Sequence, residues 1–437
     1  MPGPPYGRSG FAGGFGTLPI KKLKIQTSVN TEDNVVRRVS SAVRILVDRS
    51  NGGCSMALSF YRRIAPAALI LFAGSGCGAH AVPSSGDAVS SALHASSASH
   101  PRPADTKSIL KTLTKDVTIG STVDTGNGDQ GPRALSIAHG STNGTLTKGQ
   151  LVFCNFEDSA GNPGAGTTID ALNPKPGSAP ERFIQSDLLK GCVGDTVHPH
   201  DGSVYGAGLT SGNLVVIAKK GKPEKTYSGK AFKEPFWDLV TDPSQSFSPL
   251  YVYVGTTKGT IVSIGVGFYG NGHATEVAKG FAASKGSQGW LAPSGFQYDQ
   301  VADTLYIVDG VTNTIVAFTN ASKLLDKDEI IVEPGGKTFK CRYPKTTCAH
   351  VVYSGSPLDA PIASALLPNG NLIVANTQGT ANTLVELTPT GQVLDTKVVD
   401  SSSTQGVFGL AARGTNDSNT VLFFTDTNSN TVQEFER

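Results

Sequence analysis

Apolar runs and turn-forming residues return along the chain in one short pattern. A run such as Leu250-Tyr251-Val252-Tyr253-Val254 or Thr304-Leu305-Tyr306-Ile307-Val308 leads into Gly or Asp. Gly or Asn follows four positions on, and a large apolar residue nine positions on. Gly208, Gly212 and Ile217 make one copy. Gly255, Gly259 and Ile264 make a second, Asp309, Asn313 and Phe318 a third, and Asp426, Asn430 and Phe435 a fourth. The pattern predicts strand, tight turn, strand, because the turn residues tolerate φ > 0 and the β-branched and aromatic runs fit a pleated surface. Two further copies are stretched: Asn376 reaches Leu387 after two extra residues, and Asn155 reaches Leu172 across an eight-residue insertion. The six anchors, 155, 208, 255, 309, 376 and 426, are separated by 53, 47, 54, 67 and 50 residues. That period suits a four-stranded propeller blade, and the one long gap holds the loop from Cys341 to Cys348.

Several hairpins are preceded by an inner-strand candidate: 132–135, 235–239, 293–296, 361–363 and 406–410. The expected fold is therefore all-β, a six-bladed β-propeller, with a solenoid or a sandwich built from the same hairpins as the alternatives. The last copy ends at the chain terminus with too few strands for a blade. Residues 117–123 alternate like a strand and are otherwise unassigned, so they are expected to complete it; an open sheet edge invites aggregation.

Segments 293–319, 361–388 and 406–436 resemble NHL repeats in their Pro before a small-residue inner strand, in Leu305-Tyr306-Ile307-Val308-Asp309, and in Asn313-Thr314-Ile315. The resemblance covers most of residues 117–437. It implies a propeller but not an activity, since NHL-type propellers include binding modules, lyases and lactonase relatives. The early copies depart from the pattern: Gly replaces Asp at 208 and 255, and the second blade has no evident Pro-Gly inner strand.

Composition narrows the function classes. With 37 basic against 35 acidic residues and only 16% charged, the chain lacks the basic footprint of a nucleic-acid partner. Fifty-one glycines and two methionines suit a turn-rich β protein. Residues 1–55 show no periodicity and read as an extension upstream of a true start at Met56. Residues 56–81 read as an export signal, with Arg62-Arg63 before an apolar run at 64–74 that is too short to span a bilayer. Gly74-Ser75-Gly76-Cys77 resembles a lipobox, which makes Cys77 the candidate lipidation site and the only expected link to a membrane. Ala79-His80-Ala81 offers an ordinary cleavage site for a soluble secreted protein instead. Residues 82–106 read as a Ser/Ala/Pro linker, and 107–437 as the propeller.

The remaining cysteines, Cys154, Cys192, Cys341 and Cys348, are even in number, as suits an exported chain. The expected pairs are Cys341 with Cys348 and Cys154 with Cys192; four buried thiols are the alternative. No cysteine or histidine spacing fits structural zinc, and no motif commits the chain to a reaction, so neither metal nor cofactor is expected. His198-Pro199-His200-Asp201 reads as a polar turn more readily than as a metal site, and Glu157-Asp158 in the insertion as a solvated loop. Inner strands converge at the channel mouth, where Arg133, Asp195, Trp237, Asp238, Trp290 and Phe408 are the candidate ligand-binding residues. The best reading is a monomeric, exported, lipid-anchored propeller of a bacterial envelope, binding a protein or a small polar ligand at its face. The alternative is a lactonase-like or other hydrolase with a metal in the central channel.

Overall fold

The computed structural model describes residues 105–140, 143–228, 235–241, 250–266, 273–286, 289–377 and 380–437. The upstream extension, the export signal with Cys77, and the linker up to residue 104 lie outside these described residues. The described chain is a six-bladed β-propeller whose blades are antiparallel four-stranded sheets, the third extended by two further strands. Blade one runs Gln130–Ile137, Leu151–Glu157, Thr168–Leu172, Glu181–Gln185, and blade two Cys192–Val197, Val204–Gly208, Asn213–Ala218, Lys222–Tyr227. Blade three is Phe236–Thr241, Leu250–Thr256, Thr260–Val266, Ala274–Lys279, and blade four Pro293–Asp299, Thr304–Asp309, Thr314–Thr319, Cys348–Ser354. Blade five is Pro361–Leu366, Leu372–Asn376, Asn382–Leu387, Val393–Asp400. Blade six is Val407–Arg413, Val421–Asp426, Thr431–Glu436, and its fourth strand is Lys115–Ser121.

The hairpin chemistry is as the sequence pattern predicts. The fourth-position turn residues all take positive φ: Gly212 at 67°, Gly259 at 74°, Asn313 at 50° and Asn430 at 51°. The Asp anchors close the same turns through their side chains, Asp309 Oδ1 accepting from the backbone N–H of Val311 at 3.0 Å and Asp426 Oδ1 from that of Asn428 at 2.9 Å. Where Gly stands at 255, a Cβ would collide with the carbonyl oxygen of Pro293 at the start of the next inner strand, so close blade packing excludes a side chain there. Second strands such as Leu372–Asn376 and Thr304–Asp309 are buried at every position, because both faces pack on neighbouring blades. The cores accordingly lie between blades. Tyr306, Val308 and Ile315 of blade four meet Leu372, Val374 and Val385 of blade five, for example.

Closure rests on the segment before blade one. Lys115–Ser121 pairs antiparallel with Thr431–Glu436, from Lys115 opposite Glu436 to Ser121 opposite Thr431, two residues earlier than the expected 117–123. Ahead of it a short 3-10 helix, Leu110–Thr112, buries Ile109, Leu110 and Leu113. The fully buried Glu386 carboxylate of blade five accepts from Ser108 Oγ (2.7 Å) and from the backbone N–H of Ile109 (3.2 Å) and Leu110 (2.8 Å).

Two features exceed the sequence reading. Blade two does have an inner strand, Cys192–Val197, which lacks the proline that marks most of the others. The long gap in blade four is not a plain loop. Between Thr314–Thr319 and Cys348–Ser354 the chain crosses to blade three and adds strands Ile330–Val332, parallel to Ala274–Lys279, and Phe339–Cys341.

Both expected disulfides are present, Cys154–Cys192 across 38 residues and Cys341–Cys348 across 7. The first ties the second strand of blade one to the inner strand of blade two within a fully buried cluster. Loop-closure entropy assigns a crosslink of this span about 4 kcal/mol. Cys154→Ala/Cys192→Ala is expected to lose about that much stability in urea melts, and Cys341→Ala/Cys348→Ala less. Equal losses would contradict the entropic account.

Candidate functional site

Each inner strand contacts the inner strands of both neighbouring blades, so the six form a closed ring around the axis. Each also breaks register with its own second strand at the same level. The breaks fall between Arg133 and Ser136, Cys192 and Gly194, Phe236 and Asp238, Ser294 and Gln297, Pro361 and Ala363, and Val407 and Leu410. Bulges of this kind re-aim side chains. The residues at this level are small where strands crowd: a Cβ on Gly409 would strike the backbone of Ala134, which itself holds φ at 55°. The bulges thus pinch the channel and separate two regions.

On the side of the strand starts, Arg133, Val193, Trp237, Asp238, Ser294, Ile362 and Phe408 surround a small void of about 20 Å³, so that Asp238 and Phe408 border both regions. Arg133, Trp237 and Phe408 are all buried. The Arg133 guanidinium stacks 3.2 Å from the Phe408 ring centroid and 4.9 Å from that of Phe156. Burial pushes Arg133 down to about 9, while the Glu157 charge opposes the shift. These side chains plug the channel rather than offer an open stacking surface. Trp290 does not line the channel; it sits half-buried on a short hairpin, Ser284–Gly286 with Gly289–Leu291, whose Gly289 abuts the Trp237 ring.

On the other side of the pinch a cavity of about 350 Å³ extends to the ends of the inner strands, past Ile137, Val197, Thr241, Tyr298, Leu366 and Ala412. Two carboxylates face it. Asp195 is 5% exposed and accepts a short hydrogen bond from Ser136 Oγ of the neighbouring inner strand, while its Oδ2 has no hydrogen-bond partner among the described residues. Asp238 is half-buried; its Oδ1 accepts from the Leu239 N–H at 2.8 Å and its Oδ2 from the Phe296 N–H at 3.4 Å. Burial pushes the Asp195 carboxyl up to about 8, with the Ser136 bond and the nearby backbone N–H of Cys154 opposing and the Asp238 charge adding to the rise. Burial likewise pushes Asp238 up to about 6, against the backbone N–H groups it accepts from. The other polar groups of the wall pair across blades: Gln297 Nε2 donates to the Ser364 carbonyl at 2.8 Å, and Ser364 Oγ to the Gly295 carbonyl at 2.6 Å.

Of the six residues singled out from the sequence, Asp195, Asp238 and Phe408 line the cavity, Arg133 and Trp237 plug it, and Trp290 stands apart. Sequence reasoning missed Ser136, Gln297 and Ser364; Ser136 lies one residue past the point where the expected blade-one inner strand ended. Among the described residues no group of three His, Cys, Asp or Glu side chains comes together to hold a metal ion. At the cavity rim, His198 Nδ1 accepts from the backbone N–H groups of His200 and Asp201, both at 3.1 Å, so that cluster is a turn. The Glu157-Asp158 insertion folds on itself, Asp158 Oδ1 accepting from the N–H groups of Ala160 and Asn162 at 3.0 Å.

No protein-family model matches the chain, and no curated protein matches it in sequence. Among solved structures it is similar to a gluconolactonase of Xanthomonas campestris, at 10% identity and TM-score 0.46, over 72% of this chain and 87% of that one. It is also similar to virginiamycin B lyase of Staphylococcus aureus, at 12% identity and TM-score 0.43, over 74% and 98%. A third is the PQQ-bound aldose sugar dehydrogenase of Streptomyces coelicolor, at 12% identity and TM-score 0.45, over 74% and 98%. At these identities the likeness is one of fold only.

Proposed function

We propose that this is an exported propeller that binds a small polar molecule in its axial cavity. The single observation that carries this is the shape of the channel: six inner strands enclose a cavity of about 350 Å³, plugged at one end by Arg133, Trp237 and Phe408 and lined by Asp195 and Asp238. A closed-ended pocket of this size with a few convergent polar groups is the usual form of a small-molecule site; here polar and apolar surface line it about equally. A thermal-shift screen of small polar metabolites tests it. Hits are expected whose stabilisation disappears in Ala412→Phe, which fills the cavity wall. Hits that survive in that variant, or no hit at all, would place binding elsewhere or nowhere. The metal-dependent hydrolase alternative has less behind it, since His139 lies at the mouth and no third acidic or imidazole side chain comes together with the two carboxylates among the described residues.

Export is supported by the signal-like segment at 56–81 and by the pairing of four cysteines into two disulfides. The lipid anchor at Cys77 belongs to the same proposal. Acyl chains add about 0.8 kcal/mol per buried methylene, and two or more hold a protein on a membrane. In cell fractionation Cys77→Ser is expected to move the protein to the soluble fraction or leave its signal uncleaved. A wild type that is already soluble and begins at Val82 would eliminate the anchor while leaving the cavity proposal intact.

A further inference from the structure

Resting on the cavity as the ligand site, we infer that its ligand is a small organic cation bearing N–H donors, a primary ammonium held between Asp195 and Asp238. The cavity carries two carboxyl groups and no basic side chain to balance their charge when they ionise. Its titratable lining groups are Asp195, Asp238, His139 and Tyr298, and no Lys or Arg lines it among the described residues. Tyr298 is committed, its hydroxyl donating to Asp303 at 2.5 Å. His139 at the mouth is held toward its neutral form by burial and by the neighbouring His200 and Lys148. Arg133 lies beyond the pinch, stacked on Phe408, and the charge that acts on it is Glu157.

A buried carboxylate oxygen without a donor costs free energy unless a partner arrives. Asp195 Oδ2 is such an atom, in a side chain more than nine-tenths buried and bordering the cavity. The pinch supplies the second half of the site. Blade three bulges between Phe236 and Asp238, and Asp238 borders the same space; its Oδ1 lies 3.6 Å from where a Cβ on Gly194, the residue before Asp195, would stand. An ammonium group brings three donors and one positive charge, and so answers both carboxylates at once. An anion would be repelled, and a neutral alcohol would supply one donor and no charge. Two carboxylates are few for a hard cation such as calcium, which takes six to eight oxygen ligands. The remaining wall of Phe296, Leu239, Leu410 and Phe408 suits a short alkyl body.

Because burial favours the protonated carboxyls, the incoming cation must displace protons. Binding therefore strengthens as pH rises between about 6 and 8 and releases protons to the buffer.

The experiment is calorimetric titration of the full chain with n-butylammonium, n-butanol and butyrate, in phosphate and in HEPES at pH 7 and 8. The expected result is binding of butylammonium alone, tighter at pH 8, with heats that differ between buffers by the proton released. Asp195→Asn and Asp238→Asn should each weaken it at least tenfold while the protein still melts cooperatively. Gln297→Glu, which adds a carboxylate to the wall, should tighten it if the fold is kept. Butanol or butyrate binding as well as butylammonium overturns the cation assignment and leaves the cavity as a ligand site. Butylammonium binding that is unchanged in Asp195→Asn overturns the assignment too. Stoichiometric calcium binding lost in Asp195→Asn replaces the organic cation by a metal. Failure of all three probes, together with Ala412→Phe leaving every stabilising metabolite effective, removes the cavity reading itself.

Discussion

A chain beginning at Thr122 is expected to be unfolded or aggregated, whereas one beginning at Asp105 melts like the full-length protein. The difference of 17 residues carries the closing strand and the latch ahead of it. Removing Lys115–Ser121 strips the outer strand from blade six and exposes Thr431–Glu436 as an edge. It also takes away Ile119, which is fully buried against Leu151, Phe153, Phe423 and Val432 between blades six and one. Ile109, Leu110 and Leu113 leave with it. Burying each such side chain contributes roughly 1.5–3 kcal/mol, and four of them amount to much of the total stability of an ordinary domain, about 5–15 kcal/mol. The Glu386 carboxylate would remain buried without three of its donors, Ser108 Oγ and the N–H groups of Ile109 and Leu110. A single substitution probes the same latch: Glu386→Ala takes the acceptor from those donors and from one N–H of Asn371 Nδ2, which keeps its bond to the Asp105 carbonyl, and should cost on the order of 3 kcal/mol. Circular-dichroism melts and size exclusion of the two truncations decide the matter; matching melting temperatures would show that the first described segment does not close the ring.

The parts of this fold that can be read from the sequence are those fixed by neighbours in the chain. Turn residues such as Asn313 and Asn430, with apolar runs on either side, announce each hairpin because the φ > 0 position and its flanking strands lie within ten residues. The closing strand was legible by elimination, as an alternating segment opposite an incomplete blade. The inner-strand candidate at 235–239 marks Asp238 as axial; Asp195 is a candidate without a legible inner strand for blade two, and both line the cavity. What could not be read depends on pairings between distant segments. The crossing of Ile330–Val332 to blade three rests on a parallel pairing with Ala278 and Lys279 that no local pattern signals. Trp290 looked like part of the site because it precedes an inner strand, but its hairpin packs outside the plug. The buried carboxyls of Asp124 and Asp170, with the exposed Arg182 over them, were missed altogether, since they come from the segment after the closing strand and from the two outer strands of blade one.

That group and the cavity together make stability fall as pH rises, in a window where most proteins are indifferent. Burial and the neighbouring Asp124 push the Asp170 carboxyl up to about 8, and burial does the same to Asp195. Asp124 absorbs the opposite effect, held well below the usual carboxylate range by Arg182 and by the N–H groups of Gly126 and Asn127. In the unfolded chain every aspartate titrates near 3.9. Between that value and 8 the native state therefore holds two protons that the unfolded state has released, and each costs stability at about 1.4 kcal/mol per pH unit. At the acid end other groups intervene. His139, His198 and His350 are pushed down by burial and lose stability as pH falls below about 6.5, and Asp238, at about 6, adds its own slope there. The clean window is thus pH 6.5 to 8, where the melting temperature should drop steadily and then level off above the folded pKa values. Asp170→Asn should remove about half of that slope, because an amide reproduces the neutral carboxyl: its oxygen accepts from Asn155 Nδ2, as Asp170 Oδ2 does at 2.7 Å, and its NH₂ faces Asp124. Asp195→Asn should remove the other half and, unlike Asp170→Asn, also abolish ligand effects in the cavity. Melting curves of the wild type and both variants from pH 6 to 9 are the measurement. A wild-type stability that is flat or rising across this window, or a fall that neither substitution relieves, would mean that both carboxyls are ionised in the native protein and that a cation or proton donor already lies beside them.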